Sequence, residues 1–493
     1  MQRKFLTNLA LLLFLNFLVK PFWIFGIDRT VQNVVGSESY GFYFAIFNFS
    51  YLFNILLDFG ITNFNNRNIA QNHQLLNKYF SSIVILRFIL AVVYTVVTFT
   101  VALIIGYKAP QLYLLAFLAF NQFLIFFILY LRSNINGLMM FKTDSFMSVL
   151  DRLLMIVICG VLLWGNITIT PFKIEWFVYA QTVAYLLTAC VALFFVIRKA
   201  NFKRLVWNKP FFVLVIKQSL PFAVLYLLMM FYYRIDTVMI ERMLPKGIGS
   251  VQSGIYASAF RLLDASIMIA YLFSVLLLPI FSRMLKNRES VEQMVKLSFT
   301  LLITNALIIA IGAAFYREEL MQLLYPQHHN ETLAFYQLRI QQSSSIFGFL
   351  MGSFVFISST YIFGTLLTAN GNLKHLIIIS VVGMVINVAL NLILIPGMEA
   401  EGSSIASFVS QLVTIILQII FVQYIFKFNR NFKYITTLLL FGLCLLAVNW
   451  LSKEFFTDWE TGFVVMILSS FALAALLKLL NLRGMMSIIK NGT

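Results

Sequence analysis

GSESYGFY, residues 36–43, and GSVQSGIY, residues 249–256, decide the fold of this chain. Each reads Gly-Ser, three residues, Gly, one residue, Tyr. Each has a Phe four residues further on, Phe47 and Phe260. A single shift of 213 residues maps Gly36 to Gly249, Ser37 to Ser250, Gly41 to Gly254 and Tyr43 to Tyr256. The question is what kind of molecule writes one phrase twice at this distance.

Composition answers the first half. The 493 residues are 61% hydrophobic and 11% charged, against about a quarter charged in a soluble domain. Mean hydropathy is +0.89. These values exclude a soluble globule. At roughly 20 residues per crossing helix, the apolar content supplies about fourteen membrane helices. No long polar stretch is left for a catalytic domain outside the bilayer. Cys159, Cys190 and Cys444 lie in apolar runs without paired or metal-ligand spacing and read as small buried hydrophobes. His73, His328, His329 and His375 are scattered, so no metal site is expected. The net charge of +17 raises nucleic acid as a partner. The basic residues fall in short joints between apolar runs, however, which is the bias of cytoplasmic loops. The N-terminus, MQRKFLTNLALLLFLNFLV, lacks a small-x-small cleavage site and reads as an uncleaved first span.

The apolar runs place spans at about 6–27, 39–62, 79–105, 111–132, 146–164 and 174–197. Six more follow at about 213–240, 252–281, 294–315, 345–368, 373–396 and 402–426, and a last pair at about 434–451 and 461–480. With the N-terminus assigned to the cytoplasm, cytoplasmic joints and helix ends hold 24 of the 36 Lys and Arg, external ones hold 8, and 4 lie deep in spans. That asymmetry supports the count and sets both termini inside. The most basic joint, RKANFKRLVWNKP, separates the sixth span from the seventh. The expected organisation is a six-helix bundle at 1–198, a cytoplasmic linker at 199–212, a second bundle at 213–427 and two extra helices with a short tail at 428–493. Six helices per repeat put both copies of the phrase on one side of the membrane. The halves are therefore parallel repeats about an axis along the membrane normal, arranged as two pseudo-symmetric bundles around a central cleft. Gly36 and Gly41 suit a tight turn and a close helix approach.

VINVALNLILIPGMEAEGSSIASFVSQ, residues 385–411, sets an Asn-rich apolar helix, a Pro, a short turn and a small-residue helix in a row, through Asn387, Asn391, Pro396, Gly402, Ser403, Ser404 and Ala406. It resembles a signature of the multidrug/oligosaccharidyl-lipid/polysaccharide exporter superfamily. LLDFGITNFNNRNIAQ, residues 56–71, resembles the end of the second span in that superfamily's polysaccharide-unit flippases, and the repeated phrase resembles their turns after spans one and seven. The resemblance covers the layout of the whole chain. It implies a flippase, not an enzyme, that moves undecaprenyl-pyrophosphate-linked oligosaccharide across the bacterial inner membrane for O-antigen (lipopolysaccharide), capsule or exopolysaccharide. It also implies a cation-lined cleft, with the lipid-linked glycan and the bilayer as partners, a polysaccharide polymerase downstream, and a monomeric protein.

A charge near mid-bilayer costs about 2.5–3.5 kcal/mol on insertion scales and needs a partner or a cavity. Lys20, Arg87, Arg234 and Arg261 are the candidate cationic lining, and Asp58, Asp236 and Asp264 the candidate ion-coupling carboxylates. Tyr226, Tyr232 and Tyr233 are the candidate sugar contacts. The repeat shift carries Lys20 to position 233, beside Arg234, so each repeat sets a cation at nearly the same depth of its first helix. A pyrophosphate or acidic sugar would use Lys as a point charge and Arg as a bidentate donor. The competing reading is internal pairing. Arg261 and Asp264 stand three apart on one helix face, and Arg87 is within reach of Asp58.

Three other functions stay open at this stage. A lipid II flippase shares the fourteen spans and the cationic cleft. A multidrug-type cation antiporter would call for acidic residues there. A membrane glycosyltransferase or ligase would need catalytic groups in an external loop, and the longest, 316–344, carries Arg317, Glu318, Glu319, His328, His329 and Glu331. No GxxxxGK[ST] phosphate loop occurs in the chain. The expected energy source is a proton or sodium gradient or the membrane potential, with no bound cofactor and no metal.

Overall fold

The structure, a computed structural model, describes residues 14–16, 18–62, 65–66, 69, 74–165, 170–199, 207, 209–328, 331–429 and 431–480. The start of the first predicted span, most of the basic joint and His329 lie outside the described residues. Among the described residues all regular structure is helical. Eleven helices are long and apolar enough to cross a membrane. Their outward faces carry exposed apolar side chains such as Val92, Ile393 and Leu468, which suits lipid as the solvent.

One of the eleven is two helices in line, and the stretch that ends at Leu52, outside the eleven, holds two more, which gives fourteen helices among the described residues. The helical stretch Leu373–Phe426 has 54 residues. At 1.5 Å per residue it would be about 81 Å long, against a hydrocarbon core of about 30 Å. It breaks at Glu399, where φ is 50° and ψ is −133°. Pro396 just before the break weakens the ladder, and the polar run through Glu401 ends the apolar run. The stretch Arg29–Leu52 breaks in the same way at Gly36, with φ 79° and ψ 167°, a conformation that glycine adopts without a Cβ penalty.

The helices are numbered accordingly. α1 runs to residue 35, α2 covers 37–52, α3 Leu75–Ile104, α4 Ala109–Gly137, α5 Phe141–Trp164, α6 Ile174–Ile197 and α7 Lys209–Met243. α8 is Ile248–Lys286, α9 Glu292–Phe315, α10 Leu333–Ala369, α11 373–398, α12 400–426, α13 Phe432–Phe455 and α14 Trp459–Leu476.

Several predicted bounds move. α1 continues eight residues past 27, because nothing stops it before Gly36. Asp28 and Gln32, polar residues read as loop, are buried on this extension: Tyr40 Oη donates to Asp28 Oδ2 at 2.9 Å and Gln32 Nε2 to the Gly254 carbonyl at 3.0 Å. Following Pro21, which lacks an N–H, the ladder slips into a π-helical stretch, Phe22–Asp28. α2 ends at Leu52 and passes into a 3-10 turn, Asn54–Leu57, instead of continuing to 62. The predicted 316–344 loop holds a short helix, Arg317–Leu324, and the start of α10 at Leu333. Beside the second copy of the phrase the positive-φ residue is Gly247 (84°), two residues before it, not Gly249, where a Cβ would lie 2.7 Å from the Glu241 carbonyl oxygen.

The chain forms two compact units, Met1–Gly254 and Ile255–Thr493. In the first, α2 packs on α7 and α4, and α6 packs on α4 and α5. In the second, α10 packs on α9 and on the α11–α12 hairpin. α13 and α14 pair with each other and cover α9, where Ile308 meets Phe441, Leu445 and Ala474. The Asn-rich motif holds the hairpin together. Ser403 Oγ donates to Asn391 Oδ1 at 2.6 Å, and Asn391 Nδ2 to Asn387 Oδ1 at 3.1 Å, all buried.

Candidate functional site

The repeated phrase meets itself. A Cβ on Gly41 would lie 1.9 Å from the Ser250 carbonyl oxygen, and one on Gly254 would lie 2.0 Å from the Ser37 carbonyl oxygen. Positions 37 and 41 are the shift equivalents of 250 and 254, so the contact is reciprocal: each glycine receives the serine carbonyl of the other copy. Backbones approach this closely only where side chains are absent. The crossing fixes α2 against the start of α8 and so carries α7 along α2. Further along, Asn48 Nδ2 donates to Thr237 Oγ1 at 2.8 Å.

Arg234 projects from α7 at this contact. Its guanidinium lies over the Tyr51 ring at 5.3 Å and near the Tyr233 ring at 5.9 Å, and Nη1 reaches Asn48 Oδ1 at 3.5 Å. Tyr226, two turns earlier on α7, lies beside Tyr51 and Asn54. Tyr51 is also within electrostatic range of Tyr185 on α6. Tyr185 in turn accepts from Arg152 Nη1 at 3.3 Å, and Arg152 lies 5.4 Å from the Trp23 ring. Lys20, one helical turn before Trp23, has Arg152, Asp151 and Arg132 as its charged neighbours. Trp23 is held by stacking on Phe177, 5.8 Å away with planes 5° apart.

Lys20, Arg152, Tyr185, Tyr51 and Arg234 thereby form a strip within the first unit, with direct contacts at Arg152–Tyr185 and Tyr51–Arg234 and electrostatic range at Lys20–Arg152 and Tyr185–Tyr51. Lys20, Arg152, Tyr51 and Arg234 are partly exposed. The acidic residues nearby are engaged at the strip's edge. Asp151 is 3.8 Å from Arg152, and Asp144 accepts from Arg132 at 2.8 Å and from Asn136 at 3.2 Å. An arginine over a tyrosine face has its cation supported by the ring, and its planar fork matches a phosphate. Tyrosine and tryptophan faces beside them suit the apolar face of a sugar.

The other candidates sit elsewhere. Arg87 is 2% exposed. It pairs with Asp58 and donates to the Leu57 carbonyl at 2.6 Å and Thr62 Oγ1 at 2.7 Å, under the Tyr130 ring. Arg261 belongs to the second unit and lies 4.0 Å from Asp264, three residues on. Asp236 is 1% exposed, and Tyr232 is buried while Tyr233 is half-buried. Sequence reasoning missed Arg152, Tyr51, Tyr185 and Trp23. The signal for the first was present: Asp151 and Arg152 fall more than one turn inside the 146–164 apolar run.

A family model described as polysaccharide biosynthesis protein matches residues 7–285. No curated protein matches the sequence. Among solved structures, a lipid II flippase MurJ in an inward closed conformation superposes with a TM-score of 0.72 at 15% identity, covering 97% of this chain and 100% of its own. A multidrug resistance MATE family transporter of the MOP superfamily, outward-facing, gives 0.61 at 15% identity, covering 85% and 95%. A MOP superfamily transporter from Pyrococcus furiosus, described as having a binding pocket of reversed polarity, gives 0.54 at 14% identity, covering 85% of this chain and 93% of its own. These likenesses establish the fold.

Proposed function

This chain belongs to the polysaccharide biosynthesis protein family, and we propose that it is a flippase for polyprenyl-pyrophosphate-linked oligosaccharide repeat units. It works by alternating access in the bacterial inner membrane, with both termini in the cytoplasm. The observation that carries this reading is the cationic and aromatic strip from Lys20 through Arg152, Tyr185 and Tyr51 to Arg234. A pyrophosphate needs compensating cations when it leaves water. At an effective dielectric of about 20, one contact at 4 Å is worth about 4 kcal/mol before desolvation. Two or three such contacts hold a dianion long enough for the protein to change state. The aromatic faces between them give the first sugars a surface without fixing their identity. A cation antiporter would place acids where this strip places bases.

The test is complementation of a deletion strain. Surface glycan should fall severely for Lys20→Gln, Arg152→Gln and Arg234→Gln at unchanged membrane abundance, and Lys20→Arg should retain more export than Lys20→Gln. Full export by the Lys20→Gln/Arg234→Gln double variant at normal abundance would overturn the reading. Rescue of cells depleted of their lipid II flippase, without restored surface glycan, would replace it with lipid II transport.

A further inference from the structure

Away from the strip, three cations from two different loops meet at the end of the bundle that carries Gly36, which is external in the proposed orientation. Lys108 is the N-cap residue of α4, and Lys246 lies in the turn before α8. The two lysines stand close enough for the charge of one to bear on the other, and Arg242, bonded to the loop that ends at Lys108, adds a third charge. Lys108 holds Lys246 below the usual lysine range, first through that close contact and then through its charge. Both lysines also stand at the positive end of a helix dipole, where a cation is disfavoured.

The one carboxylate joined to this group does not neutralise the lysines. Glu241 is 7% exposed, faces inward, accepts from Gln111 Nε2 at 3.2 Å and lies 3.8 Å from Arg242. Arg242 is fixed by donating to the carbonyls of Ile105 at 2.6 Å and Gly106 at 3.3 Å, which ties the two loops into one surface. Cations are scarce on this side of the protein, since external joints hold only 8 of the 36 Lys and Arg. Three of the eight converge here. Beside them, Leu103, Ile104 and Ile248 are exposed at 61%, 77% and 46%, as side chains facing lipid are.

We propose that Lys108, Lys246 and Arg242 form a binding site for the phosphate of an anionic membrane lipid, with its acyl chains against Leu103, Ile104 and Ile248. The phosphodiester sits between the two ammonium groups, and Arg242 lends its charge from its place on the carbonyls. The site is separate from the transport strip and does not depend on which glycan is carried.

Purified, delipidated full-length protein in detergent would be offered phosphatidylglycerol, phosphatidylcholine or inorganic phosphate and examined by native mass spectrometry. Phosphatidylglycerol should be retained by the parent, and the Lys108→Gln/Lys246→Gln variant should lose about fivefold in affinity per lysine. A Lys142→Gln/Lys173→Gln variant, with the same charge removed elsewhere, should bind as the parent does. Equal retention by the Lys108→Gln/Lys246→Gln variant overturns the site. Equal retention of phosphatidylcholine overturns the requirement for a net anion. Displacement of phosphatidylglycerol by an equal concentration of inorganic phosphate overturns the lipid as occupant in favour of a free anion.

Discussion

Arg87 and Asp58 neutralise each other inside the first unit, with side chains 1% and 13% exposed. Asp58 also accepts from the backbone N–H groups of Gly60 and Thr62, each at 3.1 Å, so the pair anchors the segment where α2 gives way to the 3-10 turn. Arg87→Ala leaves a buried carboxylate without its cation and should cost about 3–5 kcal/mol. Arg261→Ala, which removes a more exposed partner at the longer distance of 4.0 Å, should cost less than Arg87→Ala does. Thermal unfolding of the two purified variants checks the contrast. Similar midpoints would show that the Arg87 pair adds little.

The glycine crossing predicts a second stability effect. Gly41→Ala or Gly254→Ala must push two backbones apart, an overpacking that costs about 1–3 kcal/mol. Gly442→Ala, with nothing within 4 Å of the new methyl group, should be neutral or slightly stabilising. The same unfolding measurement separates them.

Asp236 is the most buried of the three candidate coupling carboxylates, at 1% exposure. If Asp236 carries the coupling ion, Asp236→Asn should transport without responding to pH or sodium. Transport into proteoliposomes under imposed gradients reads this directly, and a variant that keeps the parent's ion dependence removes Asp236 from that role.

A pH effect is expected in the loop before α10. Burial raises the Glu331 carboxyl, but two Arg339 hydrogen bonds at 2.7 and 2.9 Å and the His328 N–H at 3.2 Å outweigh it, so it lies below its ordinary 4.5. The folded value is depressed, so its contribution is complete above about 4.5 and is lost as pH falls through the lower folded value. Hydrogen exchange at the His328 amide, corrected for its intrinsic pH dependence, should accelerate in that window. In Glu331→Ala, which removes the acceptor, the amide should be unprotected already at neutral pH.

Orientation is testable with two exposed residues. Cysteine placed at Gln327 should react with an impermeant maleimide in intact cells, and cysteine at Asn429 only after lysis. Labelling of Asn429 from outside would reverse the assignment.

Much of this architecture was legible because lipid as solvent simplifies the code: apolar runs of one crossing length, broken by polar joints, become helices. The errors fall where tertiary contacts rescue polar residues. Asp28 and Gln32 looked like loop because their partners, Tyr40 and the Gly254 carbonyl, are unreadable from local sequence. At the site, Lys20 and Arg234 stood out as isolated charges in apolar runs. Arg152, more than one turn inside a predicted span, carried the same signal and was passed over, and Tyr51 and Tyr185 did not stand out because aromatics are common throughout this chain. Which tyrosines meet which arginines depends on how α2, α6 and α7 rotate against one another, and periodicity does not give that rotation.

The crossing of Gly41 and Gly254 also bears on how far the two repeats can differ. A contact in which residue i of one segment meets j of another, while j meets i, is the isologous contact of a two-fold symmetric dimer. Within a single chain it has the form of a subunit interface between two copies of one repeat. Away from the crossing the copies are free to differ, as Lys20 and Arg234 do, offset by one position and different in chemistry. The glycines have no such freedom. Each is held by the carbonyl of the other copy, so a change that one half could tolerate alone is vetoed by its twin.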